Sequence, residues 1–246
     1  MNKTLILIPS RMAATRLPGK PLLKINNRSI ISHVFKKAEE ANIGEVVVAT
    51  EDQEIFDDVF KNGGRAILTN KNHLTGTDRI YEAYKELRIK DIDYVLNLQG
   101  DEPNIDIEDI INLDNLMKKK SYDIGTLAAE IKDHTMLNNQ NVVKVFTEHE
   151  LNNNNFSNAL NFSRNNLSKI FKNMYHHIGI YLYTVNALEK FVNFKQTKTE
   201  LESRLEQMRA LDNDLEIMVA LAKSSPIGVD TKEDYLAIKK IMEYKL

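Results

Sequence analysis

Cysteine is absent from the 246 residues. That removes disulfides, thiolate zinc sites, iron–sulfur clusters and cysteine nucleophiles together, and it fits a reducing, cytoplasmic setting. A surplus of one charge is also missing: 33 Lys+Arg stand against 35 Asp+Glu, for a formal net charge of -2. A general nucleic-acid binder needs a basic excess to replace counterions, so any basic site here must be local. Long hydrophobic runs are lacking too. The first, Leu5 to Ile8, is stopped by Pro9 and is too short for a signal-peptide core or a membrane span. The expectation is a mature chain from Met1 with no membrane insertion. Its length suits one large α/β domain, or one domain with a grafted lobe.

What is present is an alternation of short β-rich runs and helical stretches, the sequence sign of βαβ units. Thr4–Ile8, Glu45–Thr50, Arg65–Thr69 and Asp93–Leu98 are too apolar to have a solvated face, which predicts central strands. Apolar stripes predict helices over 29–41, 53–62 and 77–87. After about Lys120 the strands follow one another (124–131, 142–147, 159–163, 175–184), which predicts an antiparallel extension. Helices are expected over 187–192 and 201–211, then a strand near 217–222 and a last helix from Lys232. The Asn-rich stretch 148–158 reads as a surface turn or hairpin tip, and the Lys118–Lys120 run as a solvated helix end.

The densest chemical signal follows the first strand: Pro9-Ser10-Arg11-Met12-Ala13-Ala14-Thr15-Arg16-Leu17-Pro18-Gly19-Lys20-Pro21. A loop there lies at the carboxyl edge of the sheet, where open α/β sheets bind ligands. Arg11, Arg16 and Lys20, with small residues between them, suit a polyphosphate. The loop is neither a Walker A motif, since Pro21 follows Lys20, nor G-x-G-x-x-G. A second signal, Asn97-Leu98-Gln99-Gly100-Asp101-Glu102-Pro103, puts a carboxylate at a strand end, where Asp101 could hold Mg²⁺. Asp230, in Gly228-Val229-Asp230-Thr231, repeats that arrangement, with a helix N-cap as the competing role. His73-Leu74-Thr75-Gly76-Thr77-Asp78-Arg79 offers groups for a base or ribose. It reads equally as a helix start, with Thr77 as cap and Asp78 on the positive end of the dipole.

Taken in order, IPSRMAATRLPGKPL, HLTGTDR, NLQGDEP, NFSR, YHHIGIYLY, ESRLEQMRAL and GVDTKEDY resemble the 3-deoxy-manno-octulosonate cytidylyltransferase (CMP-Kdo synthetase) family over nearly the whole chain. The resemblance implies a Rossmann-like, nucleotide-diphospho-sugar-transferase α/β fold with a mixed sheet. It implies one domain over 1–246 with a sugar-binding and dimerisation lobe at about 121–195, usually as a homodimer. The implied reaction is CTP + Kdo giving CMP-Kdo and pyrophosphate for lipopolysaccharide, with Mg²⁺ as cofactor. On this reading Pro9, Ser10, Arg11, Arg16, Lys20, His73, Thr75, Gly76 and Gln99 meet the nucleotide. Arg11 and Lys20 act in catalysis with Asp101 and Asp230, which hold the metal at the α-phosphate. Gln99, Arg164, His177, Tyr183, Glu206 and Gln207 face the sugar acid, since an Arg fork can bind both carboxylate oxygens. His176 should point away from His177 on an extended strand. No general base is assigned.

The departure from the family lies after Asn161-Phe162-Ser163-Arg164, where a Pro- and Trp-containing turn is common and this chain reads Asn165-Asn166-Leu167-Ser168-Lys169. That turn borders the sugar end by resemblance. It leaves an amino-substituted Kdo or a nonulosonate open as the sugar, beside a catalytically silent sensor of nucleotide or sugar. A metal-dependent glycosyltransferase fits the α/β layout, but the triple-basic loop argues for a free triphosphate.

Overall fold

The computed structural model describes residues 2–13, 16–120, 122–152 and 154–243. Ala14 and Thr15 of the basic loop, Ser121 and Asn153 lie outside the described residues. The chain runs β1 (Thr4–Ser10), β2 (Lys24–Ile25), β3 (Arg28–Ser29), α1 (Ile30–Glu40), β4 (Gly44–Thr50), α2 (Gln53–Lys61), β5 (Ala66–Leu68), α3 (Gly76–Leu87), β6 (Tyr94–Asn97) and α4 (Ile107–Lys119). It continues through β7 (Ile124–Ala129), α5 (Thr135–Asn138), β8 (Lys144–Thr147), β9 (Ser157–Ser163), β10 (Asn173–Thr184), α6 (Val185–Asn193), α7 (Lys198–Ser203), α8 (Met208–Leu211), β11 (Ile217–Leu221) and α9 (Lys232–Glu243). Two compact units result, one of Met1–Ile110 with Pro226–Leu246 and the other of Ile111–Ser225.

In the first unit four strands pair in parallel in the order β5-β4-β1-β6. Leu5 to Ile8 of β1 are fully buried, which is why this strand is apolar on both faces. α1 buries the stripe Ile30, Ile31, Val34, Phe35 and Ala38, and the Ser29 hydroxyl caps its first turn by accepting from Ser32 N. β2 and β3 form a hairpin closed by Asn26 and Asn27, both at positive φ (48° and 62°). Asparagine tolerates that region better than most residues. Because β1 and β6 run parallel, their following loops emerge at one sheet edge. Gly100 suits the close approach of the two loops, since a Cβ would sit 3.0 Å from Pro9 O, a tight contact with backbone.

In the second unit the strand order is β10-β7-β11-β9-β8. β7 and β11 are parallel, and the remaining pairs are antiparallel. The four strands expected as an antiparallel extension, β7 to β10, pair antiparallel with one another, and the parallel pair comes from β11, the strand expected separately near 217–222. β8 and β9 are joined through the Asn-rich stretch, as expected of a hairpin. Lys118 at the end of α4 pairs with Asp114 across 2.7 Å, so the basic run is a helix end with a local counter-charge.

Two local readings are corrected. The predicted helix over 201–211 is two short helices, α7 and α8, separated at Arg204, which takes the left-handed conformation (φ 55°). Arg209 on α8 folds back onto Glu200 of α7 with two hydrogen bonds (2.9 and 2.6 Å), a closure that periodicity alone does not register. The cap of α3 is Thr75, not Thr77. Thr75 and Asp78 form a reciprocal capping box, while Thr77 is buried and accepts from Asn97 Nδ2.

Candidate active site

The basic loop leaves β1 and is fixed at two points. Asp52, following β4, accepts the Met12 amide at 2.7 Å. Asp52 stands at the N-cap position of α2 but makes no capping bond with its side chain, so the carboxylate serves the loop instead of the helix. Further on, Gly19 takes a positive φ of 71° and opens a 3₁₀ turn over Lys20–Leu22, with Pro21 pre-set for it. That turn directs Lys20 inward, and its side chain is only 14% exposed.

The result is a cleft of about 360 Å³ within the first unit. Pro9, Ser10, Arg11, Arg16 and Lys20 line one part of it. His73, Thr75 and Gly76 line another, and Gln99, Asp101 and Asp230 also face in. Every residue assigned to the nucleotide and the metal from sequence thus meets in one cavity.

Lys20 is its electrostatic centre. Its ammonium donates to Asp101 Oδ2 at 2.5 Å and Asp230 Oδ1 at 3.3 Å, and Arg16 reaches Asp230 Oδ2 at 3.0 Å. Burial alone would lower the Lys20 pKa, but the charges and hydrogen bonds of the two aspartates outweigh it and raise the pKa above the usual lysine value. Asp230 is not the cap of α9. Thr231 Oγ1 accepts from Asp234 N, and Asp234 Oδ2 accepts from Thr231 N in return, leaving the Asp230 carboxylate for the cleft. Val229 N donates to Asp101 O, which ties the two aspartate-bearing segments together. Beside them, Glu102 Oε2 is buried without a hydrogen-bond partner among the described residues. Burial first, then the charges of Asp101 and Asp230, push its carboxyl up to about 8, against the opposing effect of Lys20.

The donor set fits Mg²⁺. Among the described residues no group of three or more His, Asp or Glu is poised for a metal. Two carboxylates that share one ammonium suit a hard ion that takes its other ligands from phosphate and water. The Glu102 carboxyl, raised first by burial and then by the charges of Asp101 and Asp230 against the opposing effect of Lys20, is a further sign of negative potential in this corner.

At the other end of the cleft, Arg79 of α3 is buried and bonded to Glu51, Thr69 Oγ1 (2.7 Å) and Asn70 O (3.2 Å). His73 Nε2 is bonded to Glu82, which also accepts from Asn70 N and Nδ2. Burial opposes the Glu82 charge, yet these bonds hold its carboxyl below the usual range. Gln99 Nε2 leans on Asn97 Oδ1 at 3.4 Å.

The residues assigned to the sugar, apart from Gln99, belong to the second unit. Arg164, at the end of β9, is half-buried and donates to Gln140 O at 3.1 Å and Arg204 O at 3.5 Å. His177 on β10 is 7% exposed, edge-on to Phe162 and against Tyr181. The Thr126 hydroxyl donates to Ile180 O at 2.7 Å, so His177 Nε2, 3.0 Å from the same oxygen, is the protonated ring nitrogen. Burial, then His176, pushes the His177 pKa down to about 3, so the ring is neutral. His176 instead meets Ser225 Oγ at 2.5 Å. Tyr183 is buried against Phe191 and Tyr181. Glu206 and Gln207 sit on the turn entering α8, with Gln207 buried.

Sequence reasoning missed Asp52, the Glu51–Arg79 pair and Lys144. Asp52 reads as an ordinary N-cap after a strand, and only the position of the loop reveals its other role.

Against known proteins, the cytidylyltransferase family profile matches residues 5–217. The 3-deoxy-manno-octulosonate cytidylyltransferase of Rhodopseudomonas palustris (strain HaA2) is 42% identical over 241 residues, 98% of each chain. The protein of that name from Bartonella bacilliformis is 39% identical over 241 residues, again 98% of each. Among solved structures, CMP:2-keto-3-deoxy-manno-octonic acid synthetase complexed with CTP superposes with a TM-score of 0.89 at 31% identity, covering 100% of both chains. UDP-glucose pyrophosphorylase complexed with UDP-glucose, at 0.71 and 13%, shares the fold, covering 100% of both chains. With these matches spanning nearly its whole length, the chain belongs to the 3-deoxy-manno-octulosonate cytidylyltransferase family.

Proposed function

We propose that the protein transfers CMP from CTP to the anomeric hydroxyl of Kdo, giving CMP-Kdo and pyrophosphate for lipopolysaccharide synthesis in the cytoplasm. The observation that carries this is the meeting of Lys20, Asp101 and Asp230 beneath the Arg11–Arg16 loop. A loop of three basic residues neutralises a triphosphate whose oxygens repel one another, and the adjacent carboxylates suit the metal that accompanies it. The sugar oxygen attacks the α-phosphorus, the bond to the β-phosphate oxygen breaks, pyrophosphate leaves, and the proton of the sugar hydroxyl passes to solvent. Arg11, Arg16 and Lys20 hold the phosphates in line and meet the charge that develops on the leaving group. Mg²⁺ held by Asp101 and Asp230 would supply Lewis-acid stabilisation at the α-phosphate. Arg164 receives the sugar carboxylate in its fork, with Gln99, Glu206 and Gln207 on the hydroxyls. Neutral His177 brings no charge to the sugar.

The test is pyrophosphate release with Mg²⁺, comparing CTP with ATP, GTP and UTP, each with and without Kdo. Release that requires CTP and Kdo together supports the reading. Release with another sugar acid but not with Kdo moves the assignment to that sugar. The Asn165–Lys169 departure makes 8-amino-Kdo and a nonulosonate the comparisons to include. A homodimer formed through the lobe at 121–195 belongs to the same reading. A monomer mass across the micromolar range in analytical ultracentrifugation contradicts it.

A further inference from the structure

Lys144 on β8 is fully buried, at 0% exposure. A cation in such a place is costly unless paired, and an apolar side chain of similar length would fill the space without that penalty. Among the described residues it makes no ion pair. Burial, then the like charge of Arg164, holds its pKa below the usual lysine value. What the ammonium does make is two hydrogen bonds to backbone carbonyls, Asn139 O at 2.7 Å and Arg164 O at 2.9 Å.

Those two acceptors define a closed arrangement. Arg164 O belongs to the residue whose guanidinium was read above as the seat of the sugar carboxylate. Asn139 immediately precedes Gln140, whose carbonyl accepts from the Arg164 guanidinium at 3.1 Å. Lys144 therefore grips both the backbone from which the Arg164 side chain springs and the segment that holds its far end. The ladder makes the grip rigid, because Lys144 pairs in register with Ser163, the residue before Arg164, and with His176 on the other neighbouring strand.

We propose that Lys144 is a positioning residue for Arg164, setting the orientation of its guanidinium toward the carboxylate of the acidic sugar. This rests on the reading of Arg164 as a sugar-acid residue. Lys144 does not touch substrate; it fixes the direction of a fork whose two parallel hydrogen bonds tolerate little misalignment.

The experiment uses the full chain with CTP and the sugar it turns over, and compares Lys144→Met, Arg164→Ala and the double variant. Lys144→Met keeps an unbranched side chain, one atom shorter, and removes the donors. The expected result is a rise of about tenfold or more in KM for the sugar, with KM for CTP within about twofold of the parent. In the Arg164→Ala background, Lys144→Met should add no further loss, because the two act through one contact. Additive losses, or equal rises in both KM values, overturn the proposal by making Lys144 a general structural element. An unchanged sugar KM in Arg164→Ala refutes the underlying reading of Arg164. A raised sugar KM in Arg164→Ala beside an unchanged one in Lys144→Met refutes the role of Lys144 alone. If Lys144→Met does not fold, Lys144→Gln, whose shorter amide cannot hold both carbonyls as the ammonium does, is carried through the same comparison with the same criteria.

Discussion

Lys20 Nζ lies 2.5 Å from Asp101 Oδ2, although 81 residues separate the two in the chain. The same ammonium reaches Asp230, so one lysine from the first loop holds two acidic segments from elsewhere in the unit. Lys20→Met removes that charge where a triphosphate is to be held. Turnover at saturating CTP and sugar should fall by about 100-fold or more, the scale seen when a preorganised donor to developing charge is lost. Steady-state kinetics read the effect, and the circular dichroism of the variant should match that of the parent.

Asp230 and Thr231 are adjacent but do different work. Asp230→Asn should reduce turnover by about 100-fold or more while leaving thermal unfolding nearly unchanged, because the carboxylate faces the cleft. Thr231→Ala removes the cap of α9 and should lower stability by about 1 kcal/mol, with a far smaller effect on turnover. Urea denaturation beside kinetics on both variants separates the roles. A stability loss in Asp230→Asn matching that of Thr231→Ala would return Asp230 to helix capping.

Asp52 anchors the basic loop through the Met12 amide. Asp52→Ala frees that loop and should raise KM for CTP by about tenfold with little change in KM for the sugar. Asp52→Asn retains an acceptor oxygen and should recover most of the loss. Hydrogen exchange at the Met12 amide gives an independent readout, faster in Asp52→Ala than in the parent.

His177 gives the protein an acid-side instability. Its folded pKa of about 3 lies below the ordinary histidine value of 6.5. Between those two values the unfolded chain binds a proton that the folded ring refuses, so stability falls as pH drops from about 6.5 towards 3 and is unaffected by this group above that window. The slope is roughly 1.4 kcal/mol per pH unit. His176, lowered to about 4, acts in the same direction. His177→Asn keeps a donor for Thr126 and removes the titration. Its stability difference between pH 5 and pH 7, from urea denaturation, should be smaller than the parent's by an amount of that order.

How much could be read from the chain depended on how local the cause was. The alternation of apolar strands with amphipathic helices, visible in Leu5–Ile8 and in the stripe of α1, defined the parallel unit because both patterns follow from burial of one run or one face. The basic loop and the two aspartates were legible because their chemistry is stated by side-chain type and by position after a strand. The break at Arg204 was hidden, since an apolar period of about 3.6 continues across residues 201–211 while the backbone reverses there.

The sequence by itself determined the class of fold and the basic character of the first loop, because strand burial and fixed charge are properties of short segments. Only the tertiary structure decided which groups share their charges. It brought Lys20 to Asp101 and Asp230, gave the cap of α9 to Thr231, turned Asp52 from its own helix to the loop, and sealed Lys144 behind Arg164. Each of these depends on the distance between segments far apart in the chain, and that distance is fixed by the packing of the sheets and not by any residue's neighbours in sequence.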